Sequence, residues 1–421
     1  MARMARRESS NGTPSPNIAT TLYNMRLQSI AFLATFAAAS LAAHAGTAPA
    51  ASGKGTLDTA VAPKEKSVFD EIWDLAHLYH DKDNSVIQDL WLTGRYHGQY
   101  HWSDSDTTSD DAYESRRFRA GLEAKLFNQF TIKGEMQSAA DFDTFYNGFT
   151  ELYVQWKPSD AFAVTVGKQK PKFTHDWSTS SRYHNYFERS QLLNEIHPDY
   201  TPGVSFNGKV GNFSYYTGIF SNEPSNKVGD EFSNFDGGES YIAQIGYDFA
   251  SSLHTDQADW RLEYLHSENN EQSEIFSHFD DVVATSISLR DGRASLMNEL
   301  TYGFGSADGD VFGVNFQPGY FLTDKLQVVG RYQVATSDGA EGITAQKRYE
   351  KTVGLGKGDL YQAGYAGLNY SAYGHKMKFM GGVEYATLGG HESWTALLGV
   401  RIFWGPESKG SFPVAYPKTN E

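Results

Sequence analysis

Trp394-Thr395-Ala396-Leu397-Leu398-Gly399-Val400-Arg401-Ile402-Phe403-Trp404 alternates along its length. One parity reads Trp, Ala, Leu, Val, Ile, Trp, and the other carries Thr, Gly and Arg401. Side chains of a strand point alternately to opposite faces, so one face of this run suits lipid and is bounded by Trp at both ends. The other face is fit to meet water. A soluble sandwich also alternates, but it rarely sets aromatics at both ends of its outward face. Strands that are apolar outside, polar inside and girdled by aromatics characterise a transmembrane β-barrel.

The same unit, a strand-length run and then a turn rich in Gly, Asn, Asp or Ser, recurs from about Val86 to Trp404. Strands are expected near 86–101, 113–127, 129–140, 146–158, 160–170, 202–209, 211–221, 238–251, 256–267, 277–289, 292–305, 309–322, 324–336, 358–370, 374–388 and 391–404. That makes roughly sixteen, an even number, as antiparallel closure with both ends on one side requires. The fold class read from the sequence is therefore all-β, a transmembrane antiparallel barrel. Tight turns are expected at Phe127-Asn128-Gln129, Lys157 to Asp160, Val210-Gly211-Asn212, Thr323-Asp324 and Ala372 to His375, and long connections at 102–112, 171–201, 222–237, 268–276 and 337–357. Short turns on one side and long loops on the other describe an outer-membrane barrel.

Composition agrees. The 421 residues are 40% hydrophobic and 14% aromatic, with 40 Gly, 25 Tyr and 27 Phe. The mean hydropathy of -0.50 is too polar for a bundle of membrane helices, whereas a barrel hides its lipid face in every second residue. The chain has no cysteine, which excludes disulfides, Cys-ligated zinc and thiol catalysis. A formal net charge of -15 argues against nucleic acid as a partner. Acids gather in expected loops, Asp104 to Asp111, Asn222 to Glu239 and Glu268 to Asp281, where they would stay solvated or take up divalent cations.

Four segments follow. Residues 1–45 read as an upstream extension plus a secretory signal peptide: Met25-Arg26, the apolar stretch Ile30 to Ala43, and Ala43-His44-Ala45 before Gly46. The mature chain would then begin at Gly46 and enter the periplasm. Residues 46–85 read as a periplasmic linker rich in Ala, Gly, Thr and Pro, then a short amphipathic helix over Lys66 to Tyr79 with Val68, Phe69, Ile72, Leu75, Ala76 and Tyr79 on one side. Such a helix would plug the periplasmic mouth, help assemble subunits, or simply pack beneath the barrel. Residues 86–404 are the barrel, and 405–421 a C-terminal tail.

With Phe118, Ala120, Leu122 and Leu126 facing lipid, Arg117, Arg119, Glu123 and Lys125 face the lumen. The same parity sends inward Arg95, Lys133, Glu135, Glu151, Arg261, Glu263, Arg331, Lys376, Lys378, Glu384 and Arg401. A charge on the lipid face at the midplane costs ~2–4 kcal/mol, so confinement of charges to one parity supports closure around water. Each one also has a plainer reading, a wall charge paired across strands without any part in selectivity.

The connection Pro171 to Pro202 contains Lys172, His175, Asp176, Trp177, Arg182, His184, Glu188, Arg189 and Glu195. With Lys168 and Lys170 just before it, residues 168–189 hold five Lys or Arg against two acids, in a chain otherwise acidic. Folded into the lumen, this loop would narrow the pore, and a few cations in a low-dielectric constriction would favour anions. Left outside, it would be an exposed basic loop.

Gly167-Lys168-Gln169-Lys170-Pro171-Lys172-Phe173, Thr179-Ser180-Ser181-Arg182 and Phe187-Glu188-Arg189-Ser190 resemble the pattern of the phosphate-selective porin O and P family, as does Arg116-Arg117-Phe118-Arg119-Ala120-Gly121-Leu122. The resemblance spans essentially Val86 to Trp404. It implies a sixteen-stranded homotrimeric porin in the outer membrane, among lipid, whose inward loop guides phosphate or related small anions past Lys168, Lys170, Lys172, Arg182, Arg189, Arg117 and Arg119. Two departures stand out: this lumen mixes signs where the family's is rich in lysine, and the chain runs on past Trp404 to Glu421 where such chains usually end on an aromatic residue.

Rival classes are an outer-membrane barrel enzyme such as a hydrolase, and a structural or protein-binding barrel. His175-Asp176 and Ser178 are the residues nearest to a catalytic set, but neighbours in sequence rarely converge on one reacting atom, and no nucleophile motif is present. The sequence shows no His/Asp/Glu cluster at metal-ligand spacing, no phosphate-cradling loop and no cofactor signature. The reading is a passive diffusion channel for small hydrophilic solutes, leaning to anions, with no chemical step.

Overall fold

In a computed structural model of the protein, residues 67–223, 235–268, 270, 273 and 279–406 are described. The chain divides into two units, 1–65 and 66–421, and every described residue belongs to the second. The expected leader, the linker and the tail beyond residue 406 lie outside the described residues.

Sixteen strands form one closed antiparallel sheet. They are β1 (Ile87–Ser105), β2 (Ser109–Leu126), β3 (Phe130–Gln137), β4 (Phe149–Ser159), β5 (Phe162–Gln169), β6 (Thr201–Val210), β7 (Phe213–Ser221) and β8 (Glu239–Asp248). Then come β9 (Gln257–Ser267), β10 (Asp281–Asp291), β11 (Ala294–Phe304), β12 (Val311–Phe321), β13 (Leu326–Ser337), β14 (Leu360–His375), β15 (Met377–Leu388) and β16 (His391–Trp404). Each strand pairs with the next, and β16 returns to β1 from Ser393 opposite Ser105 to Trp404 opposite Gly94. Closure leaves no edge along that seam, which is what a sheet in lipid needs.

The alternation that the sequence displays sorts the side chains as expected. Leu398 is 64% exposed while its neighbour Leu397 is 1% exposed, the first facing outward and the second inward. Outward aromatics cluster at two levels. Tyr100, Trp102, Tyr113, Tyr264, Tyr302 and Trp394 ring the loop end, and Trp156, Phe162, Phe206, Phe213, Tyr320 and Tyr370 ring the turn end. Turn chemistry follows local sequence, as in the β15–β16 hairpin, where Gly389 and Gly390 have φ of 61° and 84°. Two consecutive positive φ values make the turn that matches strand twist, and glycine adopts them without a side-chain clash.

Several expectations need correction. Segment 102–112 is not a long loop, because β1 and β2 run on to a three-residue connection at 106–108. A longer connection, 138–148, stands instead between β3 and β4. The expected turn at Ala372 to His375 is the end of β14, and the chain reverses at Lys376, which therefore lies in a turn at the rim, its ammonium over the Tyr373 ring, and not on the lumen wall.

The expected helix over Lys66 to Tyr79 is shorter. Helix α1 spans Val68–Asp74, started by a capping box between Ser67 and Asp70. Its Phe69 and Trp73 rings lie against Tyr373, and Trp73 Nε1 donates to the Phe403 carbonyl at 2.6 Å. Beyond it, His77–His80 forms a short strand on β1. The reason is tertiary: β16 stops opposite Gly94, so the start of β1 offers an unpaired edge, and backbone hydrogen bonds there outweigh another helical turn.

The interior is not an open tube. Residues 170–200 fold inward, carrying the short helices α2 (His175–Ser178) and α3 (Gln191–Ile196). Phe173, Trp177, Leu192, Leu193 and Ile196 from this loop pack with wall residues such as Phe220, Ile242, Leu265 and Val282. Tyr186 and Phe187 pack with Val329, Tyr365, Met380 and Leu397. This is why the inward parity of β16 holds Leu397 and Phe403 as well as Arg401. A second loop, 338–359, also buries Tyr349, Val353 and Leu355.

Candidate functional site

The inward loop is fastened from one side of the wall. Arg401 Nη2 donates to the carbonyls of Tyr186 and Phe187, both at 2.7 Å, and its Nη1 to that of Ser181 at 3.1 Å. Lys378 Nζ donates to the His184 carbonyl. Arg331 bridges, donating to the Glu188 carbonyl at 2.7 Å and to the Glu384 carboxylate at 2.7 Å. Three of the cations expected to line water thus satisfy loop carbonyls that no helix or sheet would pair, which answers a buried backbone's need for partners.

A second group surrounds Glu135, which is wholly buried. Arg95 Nη2 lies 2.8 Å from its carboxylate, Arg182 Nη2 3.4 Å and Arg119 Nη1 3.7 Å. Arg95 also donates to Ser181 Oγ at 3.1 Å. Beside them Lys133 pairs with Glu151 at 2.6 Å. These charges tie the inward loop to the wall and offset one another.

A third group lies against rings. Lys170 Nζ and the Arg189 guanidinium sit 4.3 Å and 4.6 Å from the Trp177 ring centre, with His197 stacked on the same ring. Lys170 also donates to the Trp177 and Thr179 carbonyls. Arg119 stacks over Tyr200 at 4.7 Å. Lys168 follows Gly167, whose φ is 120°, and is fully buried, enclosed by protein.

Two of the expected guiding cations, Arg117 and Lys172, have no acid within ion-pair distance among the described residues. Among the described residues, Arg117 makes no hydrogen bond or ion pair, and Arg116, Arg119 and Arg189 lie within its electrostatic reach. Lys172 is exposed, its Nζ 5.6 Å from the Tyr216 ring centre. Arg261 stands half-buried on the inward parity of β9, and Lys125 is exposed at the turn end of β2.

Parity alone sends Arg116 outward, yet it reaches inward. The β1–β2 register shifts at His97 and Gly98, which face Arg117 and Ser115, so Arg116 is the extra residue of a bulge. A bulge turns one strand's side chains out of step, and it puts Arg116 Nε and Nη2 on the Glu188 carboxylate at 2.7 Å and 3.0 Å. Burial pushes that carboxyl up, but Arg116, with Arg117 and Arg401, holds it down at about 2. Arg348 from the second loop joins Glu188 at 3.5 Å and also pairs with Glu114. Neither Arg116 nor Arg348 was legible as a site residue, since one depends on a register shift and the other on how a distant loop folds.

The residues closest to a catalytic set do not converge. Asp176 Oδ2 accepts from the Ser190 backbone N–H, and the backbone N–H groups of His175 and Asp176 donate to Glu299 Oε2 at 2.5 Å and 3.2 Å. Burial, reinforced by Arg189, Arg401 and Lys170, lowers the His184 imidazole well below its usual value, leaving it neutral. A set of possible metal ligands that the sequence did not display does assemble at the turn end: His77, His80 and Asp89.

The family model described as phosphate-selective porin O and P matches residues 91–273, from β1 to just past β9. It covers the inward loop and the Arg116–Arg119 stretch. No curated protein sequence matches the chain. Solved structures similar in fold include the high-pH structure of Pseudomonas putida OprB, at 13% identity and TM-score 0.53 over 75% of this chain and 94% of that one. Salmonella typhi OmpF in complex with daunomycin has 11% identity and TM-score 0.53 over 75% and 98%. Outer-membrane expressed OmpT of Vibrio cholerae has 12% identity and TM-score 0.51 over 77% and 100%. At such identities the likeness speaks for the fold. The family match covers 183 of the 421 residues, and the solved structures share the closed-barrel fold.

Proposed function

We propose that the chain forms a passive pore for small hydrophilic solutes with a preference for anions such as phosphate, and performs no chemical step. The observation that carries this reading is Arg117. It is a guanidinium on the lumen side that makes no hydrogen bond or ion pair, with Arg116, Arg119 and Arg189 within its electrostatic reach and Glu188 acting on it only from beyond ion-pair distance. A fixed positive potential in a narrow, partly desolvated passage attracts anions and repels cations. Lys172 adds a second accessible charge nearer the turn end of the loop. The remaining basic residues serve the preference indirectly, by holding the loop in place.

The homotrimer implied by the family resemblance and the leader ending at Ala45 belong to the same reading. Cross-linking in outer-membrane fractions and the mass of the mature N-terminus test them.

Reversal potentials in planar bilayers under a KCl gradient test the selectivity. Wild type should favour chloride. Arg117→Glu and Lys172→Glu should each move the reversal potential toward cation preference, whereas Lys325→Glu, in the short turn between β12 and β13, should leave it in place. A cation-selective wild type would overturn the anion preference.

A further inference from the structure

We propose that His77, His80 and Asp89 form a binding site for a divalent transition metal at the periplasmic end of the barrel seam. The seam makes the site. β16 ends opposite Gly94, whereas β1 begins at Ile87, so the first residues of β1 have no partner from β16. The His77–His80 strand takes that edge, with His77 opposite Trp91, Tyr79 opposite Leu90 and His80 opposite Asp89. The Ala76 carbonyl accepts from the Leu92 N–H at 2.8 Å and continues the pairing.

In a regular strand, residues three apart point to opposite faces. Here the register shifts between His77 and Tyr79, and the irregularity brings both imidazoles to one side. His77 Nε2 and His80 Nδ1 lie 2.9 Å and 2.6 Å from the same atom, Asp89 Oδ1. The three donor atoms all fall within 4.8 Å of one another. The His77 ring is stacked on Trp91 at 3.6 Å and 9°, which fixes its plane.

The donor set selects the metal class. Two imidazole nitrogens and one carboxylate oxygen suit Zn2+, Co2+, Ni2+ or Cu2+, whereas Ca2+ and Mg2+ demand oxygen ligands. With metal–ligand bonds of about 2.0–2.2 Å, tetrahedral donors stand roughly 3.4 Å apart. The two His–Asp89 spacings, 2.9 Å and 2.6 Å, reach that by opening about 0.5 Å and about 0.8 Å. The His80 side chain is 44% exposed, which leaves room for water as a further ligand. Lys125 acts electrostatically on Asp89 and competes with the ion, so affinity should be moderate. The metal would staple the N-terminal strand to β1 where β16 gives out.

The test uses the full mature chain, untagged, in detergent micelles and stripped with chelator. Titration with Co2+ should give d–d absorption saturating at one ion per chain, displaced by Zn2+ and untouched by Ca2+ or Mg2+. His80→Gln, at an exposed ring the fold does not need, and Asp89→Asn should each weaken Co2+ binding at least tenfold. His254→Ala, in the turn between β8 and β9, should not weaken it. Zn2+ should raise the heat-unfolding midpoint of wild type but not of His80→Gln. Absence of Co2+ absorption, or binding equally tight in the His80 and Asp89 variants, would overturn the proposal.

Discussion

Leu192 of the inward loop rests on Gly313 of β12 so closely that a Cβ at position 313 would lie 2.2 Å from Leu192 Cδ2. The wall has been left without a side chain where the loop docks. Phe187 relates to Gly399 of β16 in the same way, with a Cβ there 2.8 Å from its ring.

Gly313→Val should therefore push the loop off the wall while leaving β12 intact, since a β-branched residue suits a strand. The expected result is a single-channel conductance above wild type from a barrel that still migrates as folded without heating. Unchanged conductance would mean that this loop does not set the narrowest section.

Glu135→Gln should leave Arg95, Arg182 and Arg119 around a neutral amide. Removing one partner of a buried ion pair costs about 3–5 kcal/mol, and here several cations lose the same partner. Urea unfolding in lipid should show a loss of that order. Lys325→Glu, in an exposed turn, serves as the comparison.

Acidity bears on the contact between the two inward loops. Glu195 Oε1 accepts from the Thr344 N–H at 2.6 Å, and burial pushes its carboxyl up to about 7. Burial also pushes Glu350 up to about 8, with Glu384 adding to the rise. Both groups are neutral in the folded protein at mildly acidic pH and ionise only at a cost. The stability they contribute is whole below the unfolded value near 4.5 and is lost as pH rises through 7 to 8. Proteolysis of loop 338–359 should accelerate between pH 6 and 9, and Glu195→Gln with Glu350→Gln should flatten that dependence. A rate independent of pH in wild type would contradict it.

Leu398→Lys places a charge on the bilayer face of β16, where Leu398 is 64% exposed. The cost should be ~2–4 kcal/mol in lipid, falling for sites nearer the rims. Measured folding free energies in vesicles decide the point, and a neutral effect would put this face away from lipid.

Much of the fold was legible because alternation is local. The run from Trp394 to Trp404 carries its two faces in its own spelling, and each of the sixteen expected strands has a counterpart among β1 to β16. The basic loop, too, stands out by composition. What alternation misjudged was the surroundings of the inward face. Leu397, Arg401 and Phe403 face a packed loop, so their parity told direction but not environment.

Other features were illegible for a physical reason. Arg116 turns inward only because β1 and β2 slip by one residue, and such a slip depends on both strands together. His77, His80 and Asp89 meet because β16 ends short and frees an edge, a fact held in residues more than three hundred positions away.

The sequence by itself determined a lipid-facing cylinder, since strand periodicity and turn residues are encoded within a few neighbours. Tertiary structure alone decided which cations stay free. Arg117 and Arg401 look alike in the chain, but one makes no hydrogen bond or ion pair and the other is spent on the carbonyls of Ser181, Tyr186 and Phe187. A charge's role depends on what closes around it, and that is settled only when distant segments fold into the same interior.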